Sequence, residues 1–135
     1  MNKFKTLSVA ALLTCSLAAR AEEVVIVVNP QNPATRMFTE QAAQFFLGKS
    51  SMFTPVDLPE SSPIRAQFYR KVTGKDVGEV KAIWSRLVFT GKAAAPKEYR
   101  TSAEVKKAVA ADPNAIGYIE KSALDGSVKA ILTVQ

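Results

Sequence analysis

The sequence predicts an α/β fold, with a central, mostly parallel sheet carrying helices on both faces. Three observations lead there. Strand-like and helix-like segments alternate in the order β-α-β-α-α-α-β-β, the pattern of a sheet covered by helices. The first strand candidate, "EVVIVVN" at 23–29, is a near-continuous run of β-branched residues, as expected of a strand buried on both faces. The helical stretches repeat apolar residues every three or four positions behind residues that cap helices.

Each element has its own local cause. "PQNPA" follows the first strand as a loop set by Pro30 and Pro33. Thr39 then caps "EQAAQFFLG", whose Phe45, Phe46 and Leu47 form an apolar face and whose Gly48 ends the helix. "PVDL" at 55–58 is a short strand candidate. Ser62 caps a helix running to about Val72, with Pro63 at the first helical position, where a missing N–H does no harm. In that helix Ile64, Phe68 and Val72 lie four residues apart on one stripe. Asp76 caps "VGEVKAIWSRLVF", and Val80, Ile83, Trp84, Leu87 and Val88 share one face. After the loop "TGKAAAPKEY", Ser102 caps "AEVKKAVAAD". "AIGYIE" and "VKAILTV" read as strands joined by the turn "KSALDG". Phe68, Trp84 and Phe89 fit core packing between helices and sheet, with Tyr69 off the Phe68 stripe.

Residues 1–21 read as a secretory signal peptide. Lys3 and Lys5 precede the apolar run Thr6–Leu17, and Ala19-Arg20-Ala21 offers small residues to a signal peptidase, with cleavage before Glu22. The apolar run is too short to span a membrane, which takes ~20 residues. A lipoprotein reading would acylate Cys15, but Thr14 stands where glycine, alanine or serine is expected. The expected organisation is a leader at 1–21 and one small domain at 22–135, periplasmic or secreted.

Cys15 is the only cysteine, so a chain cleaved before Glu22 has no disulfide and no thiolate nucleophile. The sequence has no histidine, which removes Ser-His-Asp and Cys-His systems and most zinc sites. No enzyme, metal or cofactor is expected. Loss of Lys3, Lys5 and Arg20 with the leader lowers the net charge from +6 to +3. The remaining basic residues are scattered among acidic ones, without the basic stripe of a nucleic-acid binder. A mildly positive field still favours small anions.

The stretch "ESSPIR" at 60–65 is the chemically pointed one. Unpaired N–H groups and a partial positive charge gather at a helix N-terminus. The Ser61 and Ser62 hydroxyls, the Ile64 and Arg65 N–H groups and the Arg65 guanidinium could hold phosphate, sulfate or a carboxylate. Plain capping by Ser62 would use the same residues without any ligand. Three further residues could line a cleft: Asn29 and Asn32 in "NPQNPA", and Lys92 after Gly91. Their alternatives are local turn chemistry for the asparagines and a solvated lysine behind a helix-ending glycine.

"VVIVVNPQNP", "QFFLGKS", "ESSPIRAQFYRKV", "VFTGK" and "PNAIGYIEKSAL" occur in that order. Together they resemble the substrate-binding components of phosphate ABC transporters, proteins of the type 2 periplasmic-binding-protein fold. The resemblance covers almost all of 22–135 but only one lobe of a two-lobed protein. It implies a single-lobe domain that binds a phosphate-like oxyanion for transport or sensing, with an ABC permease or another periplasmic partner. Against the family pattern R-x-D-G-S-G-T-R, Ser62 matches the serine and Arg65 the last arginine. Leu58, Pro63 and Ile64 stand where the first arginine, glycine and threonine would be. The competing expectation is a single-lobe protein-interaction module without a small ligand. A homodimer would bring two Ser62 helix starts around one anion.

Overall fold

The structure, a computed structural model, describes residues 22–135; the leader expected at 1–21, with Cys15, lies outside the described residues. Five strands form one sheet: β1 (Val24–Val28), β2 (Thr54–Asp57), β3 (Lys97–Glu98), β4 (Ala115–Glu120) and β5 (Lys129–Val134), in the spatial order β3-β2-β4-β1-β5. β2 runs parallel to β3 and β4, while β1 runs antiparallel to β4 and β5. Four strands therefore share one direction and β1 opposes them. Every residue of β1 is buried, as its unbroken β-branched run requires.

The helices are α1 (Thr39–Phe46), α2 (Pro63–Thr73), α3 (Val77–Phe89) and α4 (Ser102–Ala111). Two adjacent residues of β4 show how they cover both faces, because neighbours in a strand point to opposite sides. On one side, a Cβ added to Gly117 would lie 2.9 Å from Val105 and 3.2 Å from Val109 of α4, and 3.0 Å from Val56. On the other, the Tyr118 ring stacks on Phe68 of α2 with centroids 3.9 Å apart, and Phe46 of α1 meets it edge-on at 5.8 Å. α3 packs outside α1, where Trp84 Nε1 donates to the Phe46 carbonyl at 2.9 Å. Gly48 makes this approach fit. Its φ is +71°, and a Cβ there would sit 2.5 Å from Leu87.

Ser62 and Asp76 cap α2 and α3 as expected, each accepting from the N–H three residues on. Two caps differ. The N-cap of α4 is Thr101, whose hydroxyl accepts from Glu104 N at 3.2 Å; Ser102 is the first helical residue. α1 begins after Phe38, whose N–H is held by the Gln41 side chain at 2.9 Å, so Thr39 is already helical. β3 has only two exposed residues and no period to read; pairing with β2 alone defines it.

Gly117→Ala should force α4 away from the sheet and lower stability by about 1–3 kcal/mol, the usual range for overpacking. Urea unfolding measures this, with an unchanged midpoint as the contrary result.

Candidate functional site

β2 ends on Asp57, Leu58 follows it, and both residues are buried. An isolated carboxylate there would be very costly, so donors converge on it. Tyr69 Oη donates to Asp57 Oδ2 at 2.5 Å, Tyr118 Oη donates to Oδ1, and Leu58 N donates to Oδ1 at 3.0 Å. Arg65 supplies the opposite charge, its Nε 3.8 Å from Asp57 Oδ1. Arg65 is only 5% exposed. Its Nη1 donates to the Leu58 carbonyl and to Glu98 Oε1, each at 2.8 Å. One guanidinium therefore joins the first turn of α2 to the end of β2 and to β3.

The pKa directions follow from this burial. Desolvation raises Asp57 above the ordinary carboxylate value, although Arg65 and the two tyrosine hydroxyls pull the other way. Burial raises Tyr69 and Tyr118, and the neighbouring Asp57 charge raises both further. Burial alone would lower Arg65, but Asp57 and Glu98 hold it above its usual value.

The four residues expected at the α2 start divide. Ser61 is exposed and Ser62 and Ile64 are half-buried, whereas Arg65 turns inward to Asp57 and Glu98. Ser62 Oγ accepts from Arg65 N at 3.4 Å, which is the capping bond. Glu60, the acid nearest the hydroxyls in sequence, forms an ion pair with Lys81 at 3.1 Å.

Ser62 and Ile64 line a concavity of about 370 Å³ together with Leu58, Arg100, Thr101, Ser102, Ala103 and Glu120. This is the carboxyl end of β2 and β4, where open α/β sheets place their ligand crevices. The N-termini of both α2 and α4 open here. Three hydroxyls and the exposed Arg100 favour an anion, and the half-buried Glu120 opposes one. Arg100, Thr101 and Ser102 were not among the site residues read from the sequence. The signal was present, because "YRTSAE" puts two adjacent hydroxyls at a helix start as "ESSPIR" does, with a cation just before them.

Asn29, Asn32 and Lys92 lie elsewhere. β1 ends beside the starts of β4 and β2, with Val28 opposite Ile116 and Thr54 opposite Ala115. Asn29 is buried there and donates to the Val109 and Ala110 carbonyls at 3.1 and 2.9 Å. Asn32 donates to the Pro113 carbonyl at 2.9 Å. Lys92 lines a separate concavity with Thr54 and Pro55 at the start of β2. None of the three shares the Ser62 concavity. Among the described residues no group of three or more acidic or sulfur ligands is placed to hold a metal.

No protein-family model and no curated protein matches the chain. Solved structures do. A protein described as a phosphate ABC transporter substrate-binding protein with bound phosphate, from Clostridium perfringens, superposes with a TM-score of 0.66 at 22% identity, over 82% of this chain and 44% of its own. An ABC-type phosphate transport receptor from Vibrio cholerae gives 0.64 at 22% identity, over 82% and 45%. PstS from Borrelia burgdorferi gives 0.61 at 13% identity, over 82% and 46%. The fold is that of one periplasmic-binding-protein lobe. The chain spans less than half the length of each of these structures, and at these identities the likeness concerns fold. It bears out the α/β architecture and the resemblance read from the sequence at that level.

Two outcomes test the buried network. Arg65→Ala leaves Asp57 without its counter-charge and should cost about 3–5 kcal/mol, read by urea unfolding. Asp57 in the folded chain holds its proton to a higher pH than in the unfolded chain. Its contribution to stability is therefore complete below the unfolded value and is lost as pH rises through the folded one. The stability advantage of the native chain over Asp57→Asn should accordingly shrink as pH rises from acid toward neutrality. A gap that widens instead would mean that Arg65 outweighs the burial.

Proposed function

We propose that this chain is an exported solute-binding domain of the phosphate-binding-protein type, comprising residues 22–135 behind a leader, which takes a small phosphate-like oxyanion for transport or sensing. The observation that carries this is the opening of two helix N-termini, those of α2 and α4, onto one concavity with Ser62, Thr101, Ser102 and Arg100 around it. The α2 start offers the Ile64 N–H, because Pro63 has none and the Arg65 N–H is held by Ser62; α4 offers those of Ser102 and Ala103, and each end carries a partial positive charge. The bound phosphate named for the Clostridium perfringens structure supports the ligand class. The ABC-type phosphate transport receptor from Vibrio cholerae supports a role in transport.

The anion would rest on backbone N–H groups, hydroxyls and Arg100, because the Arg65 guanidinium is engaged by Asp57 and Glu98. Such a seat holds an oxyanion more weakly than one with a buried free cation. Ser62 and Ile64 belong to it directly, Ser61 lies exposed outside its lining, and Arg65 acts by holding the α2 start in place. Asn29, Asn32 and Lys92 take no part. No catalysis or cofactor enters this reading.

A second reading, a periplasmic interaction module without a small ligand, draws on the exposed Phe38 and Met52 side chains. A homodimer facing Ser62 to Ser62 would fall under it or under the first.

Titration calorimetry with phosphate and then sulfate at low salt tests the first reading. Saturable phosphate binding is expected, weakened about tenfold in Ser62→Ala and in Arg100→Ala, as for loss of one hydrogen bond to a charged group. Glu120→Gln should tighten it by removing a like charge. Absence of heat with either oxyanion from the folded protein would leave the α2 start as a helix cap and favour the module.

A further inference from the structure

A larger cavity, of about 500 Å³, lies on the other side of the α2 start, between α3 and the segment leading into β3. Its walls are mainly apolar, made by Trp84, Val88, Ala95 and Pro96 with Phe89 at the edge, and Ser85 adds one hydroxyl on the α3 side. Phe89 is 92% exposed and Val88 about half exposed, although a helix end in a small domain could have covered both. The polar groups gather at one place, where Asp57, Arg65 and Glu98 form the floor and the Lys81–Glu60 ion pair stands at the rim. The size and the lining, apolar walls with a few convergent polar groups, are those of a small-molecule site.

The floor selects the ligand charge. Arg65 is committed to Asp57, Glu98 and the Leu58 carbonyl, and Lys81 to Glu60. Arg65 Nε still lacks a hydrogen-bond partner and Lys81 pairs only at the exposed rim, so it is the excess of carboxylates over cations that favours a cationic ligand here. The Asp57 oxygens are already bonded by Tyr69, Tyr118 and Leu58 N. Glu98 differs: Arg65 takes its Oε1, its side chain is half exposed, and among the described residues its Oε2 has no partner. Three carboxylates face two cations around this cavity, and Trp84 and Phe89 line it, residue types whose ring faces attract cations. We infer that this cavity is a second binding site, for a small apolar molecule carrying one cationic group, with the ammonium at Glu98 Oε2 and the apolar body against Trp84, Val88 and Phe89. The site stands apart from the Ser62 concavity; the two lining sets have no residue in common.

Trp84 is the only tryptophan of the chain, so intrinsic fluorescence reports on this wall, with the Glu98 and Phe89 variants separating it from the concavity at the start of β2 that Trp84 also borders. The experiment titrates the full chain at low salt with phenethylamine, 2-phenylethanol and phenylacetate, which keep the ring and change the charge. A saturable change with phenethylamine is expected, about tenfold tighter than with 2-phenylethanol and absent with phenylacetate, as for one partly desolvated charge pair. Glu98→Gln keeps an acceptor for Arg65 and should erase the preference for the amine over the alcohol. Phe89→Ser alters a side chain that packs against almost nothing, so it tests the wall without threatening the fold and should weaken the amine. Ser62→Ala should leave the amine titration unchanged. No saturable change, equal responses to all three compounds, or a preference that survives Glu98→Gln would overturn the proposal.

Discussion

The ion pair of Asp57 and Arg65 is the constraint on which this half of the molecule depends. Two opposite charges are taken out of water at the end of β2, and neither is tolerable alone. The rest of the arrangement follows from satisfying them. Tyr118 reaches across from β4 and Tyr69 from α2 to give Asp57 its hydrogen bonds. The same two rings pack against Phe46 and Phe68 in the core. A polar cluster and an aromatic cluster thus share their side chains, so the sheet cannot slide against α1 and α2 without breaking both.

That shared cluster also explains where chemistry is available. Arg65 is positioned by the helix start at which a cation would suit an oxyanion, yet its guanidinium bonds the carbonyl of Leu58 and the carboxylate of Glu98. The charge is there, but it is spent inside the fold. What faces solvent between α2 and α4 is a set of dipoles, hydroxyls and one mobile-length arginine side chain. On the far side of the same pair, the floor is finished by carboxylates. One buried bridge therefore separates two concavities of different electrostatic character.

Much of the fold was legible because its signals are local. The β-branched run of β1, the Ser-Pro start of α2, the Asp76 cap and the four-residue stripe through Phe68 each follow from neighbouring residues. β3 was not legible, since two exposed residues carry no period and are defined only by β2. The opposed direction of β1 was equally hidden, because strand direction depends on which distant segment pairs with it. At the site, the Ser62 cap could be read from six residues. The inward turn of Arg65 could not, because its partners Asp57 and Glu98 lie 8 residues before it and 33 after it. The Thr101 start looked like one more capped helix until the fold set it beside Ser62.

The placement of β1 has a consequence for how the molecule comes into being. The first strand of the described chain sits inside the sheet, and its two neighbours, β4 and β5, are the last strands of the described residues. Until those strands arrive, five consecutive apolar residues have no hydrogen-bonding partner on either side. The chain therefore cannot close its sheet from the front, and contacts of such wide sequence separation form slowly. Until then the chain carries an open, apolar strand with unpaired edges. Closing the sheet waits on residues 115–135, which place β4 and β5 on the two edges of the first strand.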